Sequence, residues 1–326
     1  MRLQNIRTFT HEILLGLVLL IVMILAWRSD ATFVTSRSQQ GLLSHVWDMA
    51  ILSLPMTFII ITGGIDLSVG STMALASVTL GMLHKAGCPI VPAAGLAVMV
   101  GLMCGLVNGV FITRIRVHPL IVTLATYSAF RGLAEGMSLP TIYKDFPQSF
   151  RDAGNNPLFV APESTAMWAL PPAGWFFLLA AAGCGLILAK TPFGRSVYAI
   201  GFNENAARYS GLRVNRIKMI LYGSAGLAAG LVAVNYGALR NNAQASVGTG
   251  MELEAIPAVV LGGTSIFGGR GRIIGTLLGV ALIHETREFV GWYWNRSELV
   301  PLVLGSLLII SVAANALLNR KSSRGT

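Results

Sequence analysis

Two glycine-rich stretches carry the residues of this sequence whose types and spacing suit the handling of a polar ligand. They read GGIDLSVGS over residues 63–71 and GGTSIFGGRGR over residues 262–272. Glycines let a membrane helix unwind, and the freed backbone groups are tolerated there only if they are buried in protein or face a wet cavity. The chemistry predicted is passage of a polar solute past broken helices. The candidate pathway residues are Gly63, Gly64, Asp66, Ser68, Gly262, Gly263 and Thr264.

Both stretches also have a structural interpretation. Glycine pairs let two helices pack closely without any pathway between them. Asp66 is the ionisable residue nearest the middle of an apolar region, where such residues usually face a bundle interior or a cavity. Its structural role would be to cap the helix that follows, with the aid of Ser68, and the two roles of Asp66 are compatible.

The stretch 190–218 is the longest polar interruption of an otherwise apolar sequence. It reads KTPFGRSVYAIGFNENAARYSGLRVNRIK and contains a single acid, Glu204. Its cations are Lys190, Arg195, Arg208, Arg213, Arg216 and Lys218.

A short capped helix is predicted inside this stretch, over residues 204–210. Asn203 is placed to accept hydrogen bonds from its first amides, and Gly211 to end it in a left-handed turn. A helix of about two turns is marginal in water, so it needs a packing partner. An apolar face at helical spacing is available for one, formed by Phe202, Ala206 and Tyr209. The alternative is a solvated basic loop with a frayed turn.

Two charged groups lie within predicted helices. Arg131 and Glu135 are four residues apart and so share a helix face, where they could neutralise each other. A second group, near the outer surface, comprises His284, Glu285, Arg287 and Glu288. Both groups are interpreted as structural, but they are also the best support for a rival hypothesis, a proton-coupled carrier.

The composition indicates an integral membrane protein. Of 326 residues 54% are hydrophobic and only 12% charged, and the mean hydropathy is +0.66. Charged residues make up roughly a quarter of an ordinary soluble protein. The net charge of +10 is explained by cytoplasmic loops that retain Lys and Arg, so nucleic-acid binding is set aside. The three cysteines have no metal-ligand spacing.

About ten transmembrane helices are predicted, interrupted by the glycine stretches, in an all-α fold with both termini cytoplasmic. For the first, a signal peptide is the alternative, but no cleavage pattern follows it. This topology places fifteen Lys and Arg residues inside and seven outside, as the positive-inside rule requires. The predicted helices are 13–27, 46–62, 69–83, 90–112, 120–137, 168–189, 219–237, 255–267, 273–290 and 298–318.

Several motifs are absent from the sequence. It contains no GxxxxGK[ST] phosphate loop, no nucleophile elbow and no HExxH pattern. An enzyme is therefore not expected, no cofactor is expected in this chain, and any ATP that drives transport would be bound and hydrolysed by another subunit.

Three motifs together resemble the permease subunits of carbohydrate-type ATP-binding-cassette (ABC) importers, the ribose-permease family, which is similar to branched-chain amino acid permeases. They are GGIDLSVGS, the pattern G-x-N-x-x-A-A-x-x-S-G beginning at Gly201, and AVVLGGTSIFGGRGRIIGT over residues 258–276. The similarity runs from the second predicted helix to the tail. It implies an ABC importer permease fold forming a single transmembrane domain over residues 1–326, in a bacterial inner membrane.

The resemblance also implies partners: a second permease copy or homologue, a cytoplasmic ABC ATPase and a periplasmic sugar-binding protein. It makes the helix at 204–210 the coupling helix that seats in the ATPase. The implied coupling residues are Asn203, Glu204, Ala206, Ala207, Arg208, Ser210 and Gly211.

The cargo is left open within the family. Tyr209 stands where such permeases tend to be aliphatic, and the run 284–288 is more charged than usual. Ribose, a deoxyhexose such as rhamnose, or another small sugar fits equally well. Outside the family, the alternatives are the proton-coupled carrier and a passive channel, for which a capped docking helix would be unnecessary.

The cation asymmetry predicts which loops reach which side of the membrane. In a background lacking the three native cysteines, a cysteine near Arg151 or Arg240 should react with an impermeant thiol reagent in intact cells. A cysteine near Ser210 should react only after the membrane is opened. The reverse labelling pattern would reject this topology.

Overall fold

The computed structural model describes residues 2–43, 46–138, 140–158, 169–294, 299–303, 305–306 and 309, with only the backbone for 2–11, 36, 37 and 40. Over these residues the protein is helical, and its one extended pairing is an isolated bridge between Tyr143 and Ala243. The helices are α1 (Arg2–Ser29), α2 (Ser36–Leu43), α3 (Val46–Ile61), α4 (Val69–Lys85), α5 (Ile90–Val110) continued by a π-helical turn (Phe111–Ile115), α6 (Pro119–Ser138), α7 (Gln148–Asn155), α8 (Pro172–Lys190), α9 (Pro192–Phe202), α10 (Glu204–Tyr209), α11 (Val214–Arg240), α12 (Met251–Leu261) and α13 (Ile273–Trp294).

The first nine predicted membrane helices each coincide with a helix of the structure, namely α1, α3, α4, α5, α6, α8, α11, α12 and α13. Four segments are long and apolar enough to cross a membrane: Glu12–Ser29, Ile90–Ile115, Pro172–Lys190 and Val214–Arg240. Most of the tenth predicted helix, 298–318, lies outside the described residues. The all-α class is confirmed over the described residues, and the count of ten crossings stays a prediction.

Three features differ from the sequence-based expectation. The eighth helix runs from Met251 to Leu261 and not over 255–267, because a left-handed turn at Gly263 ends it early. The polar segment expected over 138–167 contains α7, and residues 139 and 159–167 lie outside the described part. The basic stretch 190–218 contains α9 before the predicted short helix.

Helix α11 packs against α5 more extensively than any other helix pair packs in the described chain. The contact is made by four glycines, Gly101 and Gly105 on α5 and Gly226 and Gly230 on α11. A side chain added at Gly226 would collide with the carbonyl of Gly101, and one at Gly105 with the carbonyl of Tyr222. The two backbones therefore touch, which is the usual way for helices to gain packing energy inside a membrane.

Contacts between residues that are far apart in the sequence define the two ends of the helix bundle. At one end Arg272 pairs with Glu12 at 3.3 Å, and the N–H of Gly269 donates to the carbonyl of Ile61 at 2.8 Å. At the other, the indole of Trp292 donates to Asp30 at 2.8 Å, and Tyr143 bridges Ala243. The end containing Ile61 and Gly269 also receives α9 and α10, so it is called the loop end below.

The glycine contact between α5 and α11 predicts a large difference between two alanine substitutions. Gly226→Ala should lower the free energy of unfolding by about 1–3 kcal/mol, because the added methyl collides with backbone. Gly183→Ala is the matched control on α8, where nothing lies within 4 Å of the added carbon. It should be neutral or raise stability by up to about 1 kcal/mol, since alanine favours helix. Thermal unfolding of the detergent-solubilised variants measures both, and equal melting temperatures would contradict the packing argument.

Candidate functional site

The first glycine stretch ends α3 with a hydrogen-bonded left-handed turn. Gly63 has a φ of +78°, and its N–H donates to the carbonyl of Ile60 at 2.9 Å. The next N–H, that of Gly64, donates to the carbonyl of Ile59 at 3.0 Å. This pair of bonds is the Schellman motif, in which a glycine past the helix end satisfies the last carbonyls.

The second glycine stretch ends α12 in the same way. Gly263 has a φ of +87° and donates to the carbonyl of Val260 at 2.9 Å, while Thr264 donates to that of Val259 at 3.3 Å. Gly262 has a different role, because a side chain there would collide with the carbonyl of Gly275 on α13. The structure thus confirms that helices stop at both glycine stretches. Gly262, by contrast, allows α12 and α13 to pack closely, which is the other role considered for these glycines.

Asp66 does not cap α4 directly, contrary to one of its two expected roles. The N-cap of α4 is Ser68, whose side chain bonds to no helix amide. Asp66 Oδ1 instead accepts from both the N–H and the hydroxyl of Ser68, at 2.8 and 2.7 Å. With 2% of its surface exposed, Asp66 is held inside the protein and fixes the residue that starts α4.

Side chains from α5, α6 and α11 surround this turn. Asn108 of α5 donates to the Ser68 hydroxyl at 2.7 Å, and Thr123 of α6 donates to the carbonyl of Ile65 at 3.1 Å. The hydroxyl of Tyr222, on α11, would lie 2.6 Å from a side-chain carbon added at Gly64. Among the described residues, the Asn108 amide oxygen and the Tyr222 hydroxyl have no hydrogen-bond partner.

The sequence analysis did not identify these three residues. Asn108 is detectable in principle, because it is a lone amide in an apolar run, whereas Thr123 and Tyr222 carry no distinguishing pattern. Together with Asp66 and Ser68 they offer a carboxylate, an amide and hydroxyls, which are groups that bind hydroxylated solutes. In the described part of the chain, no group of three or more His, Cys, Asp or Glu side chains is placed to hold a metal ion.

The two glycine stretches and the basic stretch meet at the loop end. A side chain at Gly201 would collide with the carbonyl of Ile61 and lie 2.5 Å from the N–H nitrogen of Gly269. One at Gly268 would lie 3.1 Å from the nitrogen of Gly63. The Tyr198 hydroxyl of α9 also donates to the carbonyl of Gly271 at 2.7 Å. The stretches therefore meet mainly through backbone at glycine, with Tyr198 as a side-chain contact. No hydrogen bond links Asp66 to Thr264 among the described residues.

The predicted short helix is confirmed as α10. Asn203 Oδ1 accepts from the N–H of Ala206 at 3.0 Å, and Gly211, with a φ of +87°, ends the helix in a third Schellman turn. Ala207 is buried against the bundle. The expected apolar face points away from the protein, since Phe202 is 81% and Tyr209 92% exposed. Of the other implied coupling residues, Arg208 and Ser210 are exposed at the end of this helix.

Glu204 attaches α10 to the bundle. Its carboxylate accepts from Lys218 of α11 at 2.5 Å and from Arg208 at 3.1 Å. Burial alone would raise the pKa of Glu204, but the hydrogen bonds and charges of Lys218 and Arg208 outweigh burial and hold that pKa below its usual range. Glu204 is therefore ionised at neutral pH, and the attachment weakens only as the pH falls through that lowered pKa.

The charged group on α6 is not the pair expected from its spacing. Arg131 donates to the carbonyls of Ala245 and Val247, in the loop before α12, and Glu135 points outward without an ion-pair partner in the described chain. An ion pair with the exposed Glu135 would contribute little, whereas the two backbone carbonyls are fixed in position by the fold.

The charged group on α13 connects two helices, because Arg287 donates to both carboxylate oxygens of Glu254 on α12 at 2.8 and 2.7 Å.

The sequence analysis also did not identify two buried carboxylates, those of Asp48 and Glu252. Asp48 of α3 accepts from Asn235 of α11 at 2.9 Å, beside a largely apolar cleft of about 280 Å³ between α3, α7, α8 and α11. Glu252 is 6% exposed and lies over Gly70, where a side chain would collide with its carboxylate. Asp48 had a sequence signal, since it is an acid at the start of an apolar run.

These features define a multi-pass helical membrane protein with interrupted helices, and comparison with known proteins identifies the family. Residues 40–312 match the family model described as "Branched-chain amino acid transport system / permease component". The chain therefore belongs to this family of membrane permeases, which confirms the resemblance found from its motifs.

Two relatives above 30% identity and one solved structure are similar to this chain over most of its length. The autoinducer 2 import system permease protein LsrD of Photorhabdus luminescens is 34% identical over 275 residues, covering 82% of this chain and 80% of the relative. The LsrD protein of Yersinia enterocolitica is 35% identical with the same coverage. Among solved structures, PsaBC from Streptococcus pneumoniae in complex with Fab matches with a TM-score of 0.47 and 16% identity, over 84% of this chain and 90% of that chain.

The hydrogen bonds of Asp66 predict how its substitutions separate structure from transport. Asp66→Asn retains the Oδ1 acceptor, so membrane abundance and melting temperature should stay near those of the unaltered protein. Asp66→Ala leaves the Ser68 donors unpaired and should cost about 1–3 kcal/mol. If the carboxylate charge serves the pathway, Asp66→Asn should lose cargo uptake at normal abundance, because ionised acceptors bind hydroxyls more strongly. Full uptake by Asp66→Asn would restrict Asp66 to its structural role.

Proposed function

We propose that this chain is the membrane-spanning subunit of an ABC importer for a small sugar or sugar-like solute. The observation that supports this most is α10, a capped and anchored helix. Its Tyr209 and the last residue of α9, Phe202, both point largely uncovered aromatic side chains away from the protein. Such a helix suits docking into a groove of a separate ATPase. Membership of the permease family supports the same function, and the relatives do not favour a proton-coupled carrier.

The backbone contacts at the loop end support a mechanism for coupling. Motion imposed on α10 would pass to α9 and, through Gly201, to Ile61 and Gly269 at the ends of the two interrupted segments. Because these contacts join backbone to backbone, α9 cannot shift without moving them. Closure of the ATPases would thereby change which side the pathway opens to. The proposed pathway residues remain those of the sequence analysis, joined by Asn108, Thr123 and Tyr222.

The proposal includes an orientation and a set of partners. The loop end faces the cytoplasm, as the cation asymmetry indicates, and the chain is a single permease domain in a bacterial inner membrane with both termini inside. A second permease copy or homologue completes the pathway, and a periplasmic binding protein delivers cargo. ATP is bound by the ATPase, so this chain needs no cofactor.

A substitution at Gly211 tests docking of α10 directly. It has a matched control, because the same kind of turn occurs at Gly87, at the opposite end of the bundle. Gly87, with a φ of +91°, closes α4 by the same pair of hydrogen bonds, and neither glycine has an atom within 4 Å of an added carbon. Valine therefore costs about 1–2 kcal/mol of backbone strain at either position. Gly211→Val should reduce ATPase co-purification and cargo-stimulated ATP hydrolysis about tenfold, whereas Gly87→Val should preserve both. Normal coupling in Gly211→Val would refute the docking role of α10.

The cargo is determined with the same reconstituted system. Binding protein loaded with ribose, rhamnose or autoinducer 2 is added to liposomes containing the permease and its ATPase, and ATP hydrolysis and solute uptake are measured. The sugar proposal requires stimulation by at least one of these solutes. Uptake driven by a proton gradient in the absence of ATPase would support the rival carrier instead.

A further inference from the structure

The second glycine stretch presents one large aromatic side chain at the loop end. Residues 265–270 form a closed turn, in which Gly268 donates to the carbonyl of Ser265 at 2.9 Å and Ser265 donates to that of Arg270 at 3.0 Å. Phe267 lies at the tip of this turn and is 90% exposed. Polar residues normally occupy such tips, and a phenylalanine there leaves a large apolar surface without cover.

The position of this turn relative to α9 and α10 is set by backbone contacts. Gly269 donates to the carbonyl of Ile61 at 2.8 Å, and a side chain at Gly269 would lie 3.4 Å from the backbone of Phe202. A side chain at Gly268 would lie 2.8 Å from the carbonyl oxygen of Gly201. The turn is therefore held beside the C-terminal end of α9, directly before α10.

Three strongly exposed aromatic side chains at this end lie among cations. Phe202, Tyr209 and Phe267 are 81%, 92% and 90% exposed. The acid of α10, Glu204, is already paired with Lys218 and Arg208. The exposed basic residues of these segments include Arg195, Arg208, Arg213, Arg216 and Arg270. A partner that covers this surface needs an apolar centre and an acidic rim.

We propose that Phe267, with Arg270 beside it, is a second docking point for the ATPase that receives α10. This inference rests on the proposed function and extends it, because the ATPase would contact the second interrupted segment directly and not only through α9. An anionic membrane surface also suits cations and aromatic rings. The protein partner is favoured because Phe267 is held on a hydrogen-bonded turn at a fixed position beside α10, and a lipid contact requires no such fixed geometry.

The test compares substitutions of exposed residues at opposite ends of the bundle. Phe267→Ala in the full-length permease should weaken ATPase affinity about tenfold, whereas Phe267→Leu should retain most of it. Val91→Ala is the control, since Val91 is 78% exposed at the opposite end. All three should keep normal membrane abundance, because the side chains are exposed. A photo-crosslinking residue at position 267 should attach to the ATPase, and one at position 91 should not.

The outcomes separate this inference from the proposed function. If Gly211→Val weakens ATPase binding while Phe267→Ala leaves it unchanged, and the probe at 267 labels only lipid, the second docking point is rejected and the role of α10 stands. If the unaltered permease binds no ATPase at all, both proposals are rejected.

Discussion

Direct contact between helix backbones is the constraint on which this bundle depends. Inside a membrane, lipid is as apolar as a leucine side chain, so helices associate through close packing more than through exclusion of water. Glycines on α5 and α11 bring those two helices into backbone contact, and Gly262 and Gly275 do the same for α12 and α13. Added methyl groups at these positions would have to push whole helices apart.

The same constraint explains how interrupted helices are accommodated. Where α3 and α12 stop, their last carbonyls are satisfied by Schellman turns at Gly63 and Gly263, so the interruptions leave few unpaired backbone groups. The polar side chains at the first interruption, Asp66 and Ser68, then bond to each other and to Asn108. The interior thus contains a polar cluster at the first interruption, where carboxylate, amide and hydroxyl groups from several helices come together.

A short helix becomes stable at the loop end because several weak contributions act together. Alone, α10 would be marginal at its length. Asn203 caps it, Gly211 closes it, Ala207 is buried beneath it, and Glu204 pairs with Lys218 of α11. These contacts use the inner face of α10 and leave its aromatic face uncovered. The structure therefore combines a firmly attached helix with an open surface, which is what docking to a partner requires.

The sequence by itself determined the membrane class, the family, the approximate positions of nine helices, and the caps of α10, because hydrophobic runs, Asn caps and glycine stops act locally. It did not reveal α9, although Thr191 before Pro192 is a usual helix start, nor that Arg131 would bond to carbonyls of residues more than a hundred positions away. Only the tertiary structure decided that Ser68, and not Asp66, starts α4, and that both glycine stretches meet α9 through backbone. Those outcomes depend on which distant groups become neighbours when the helices pack, and residue spacing along the chain carries no information about that.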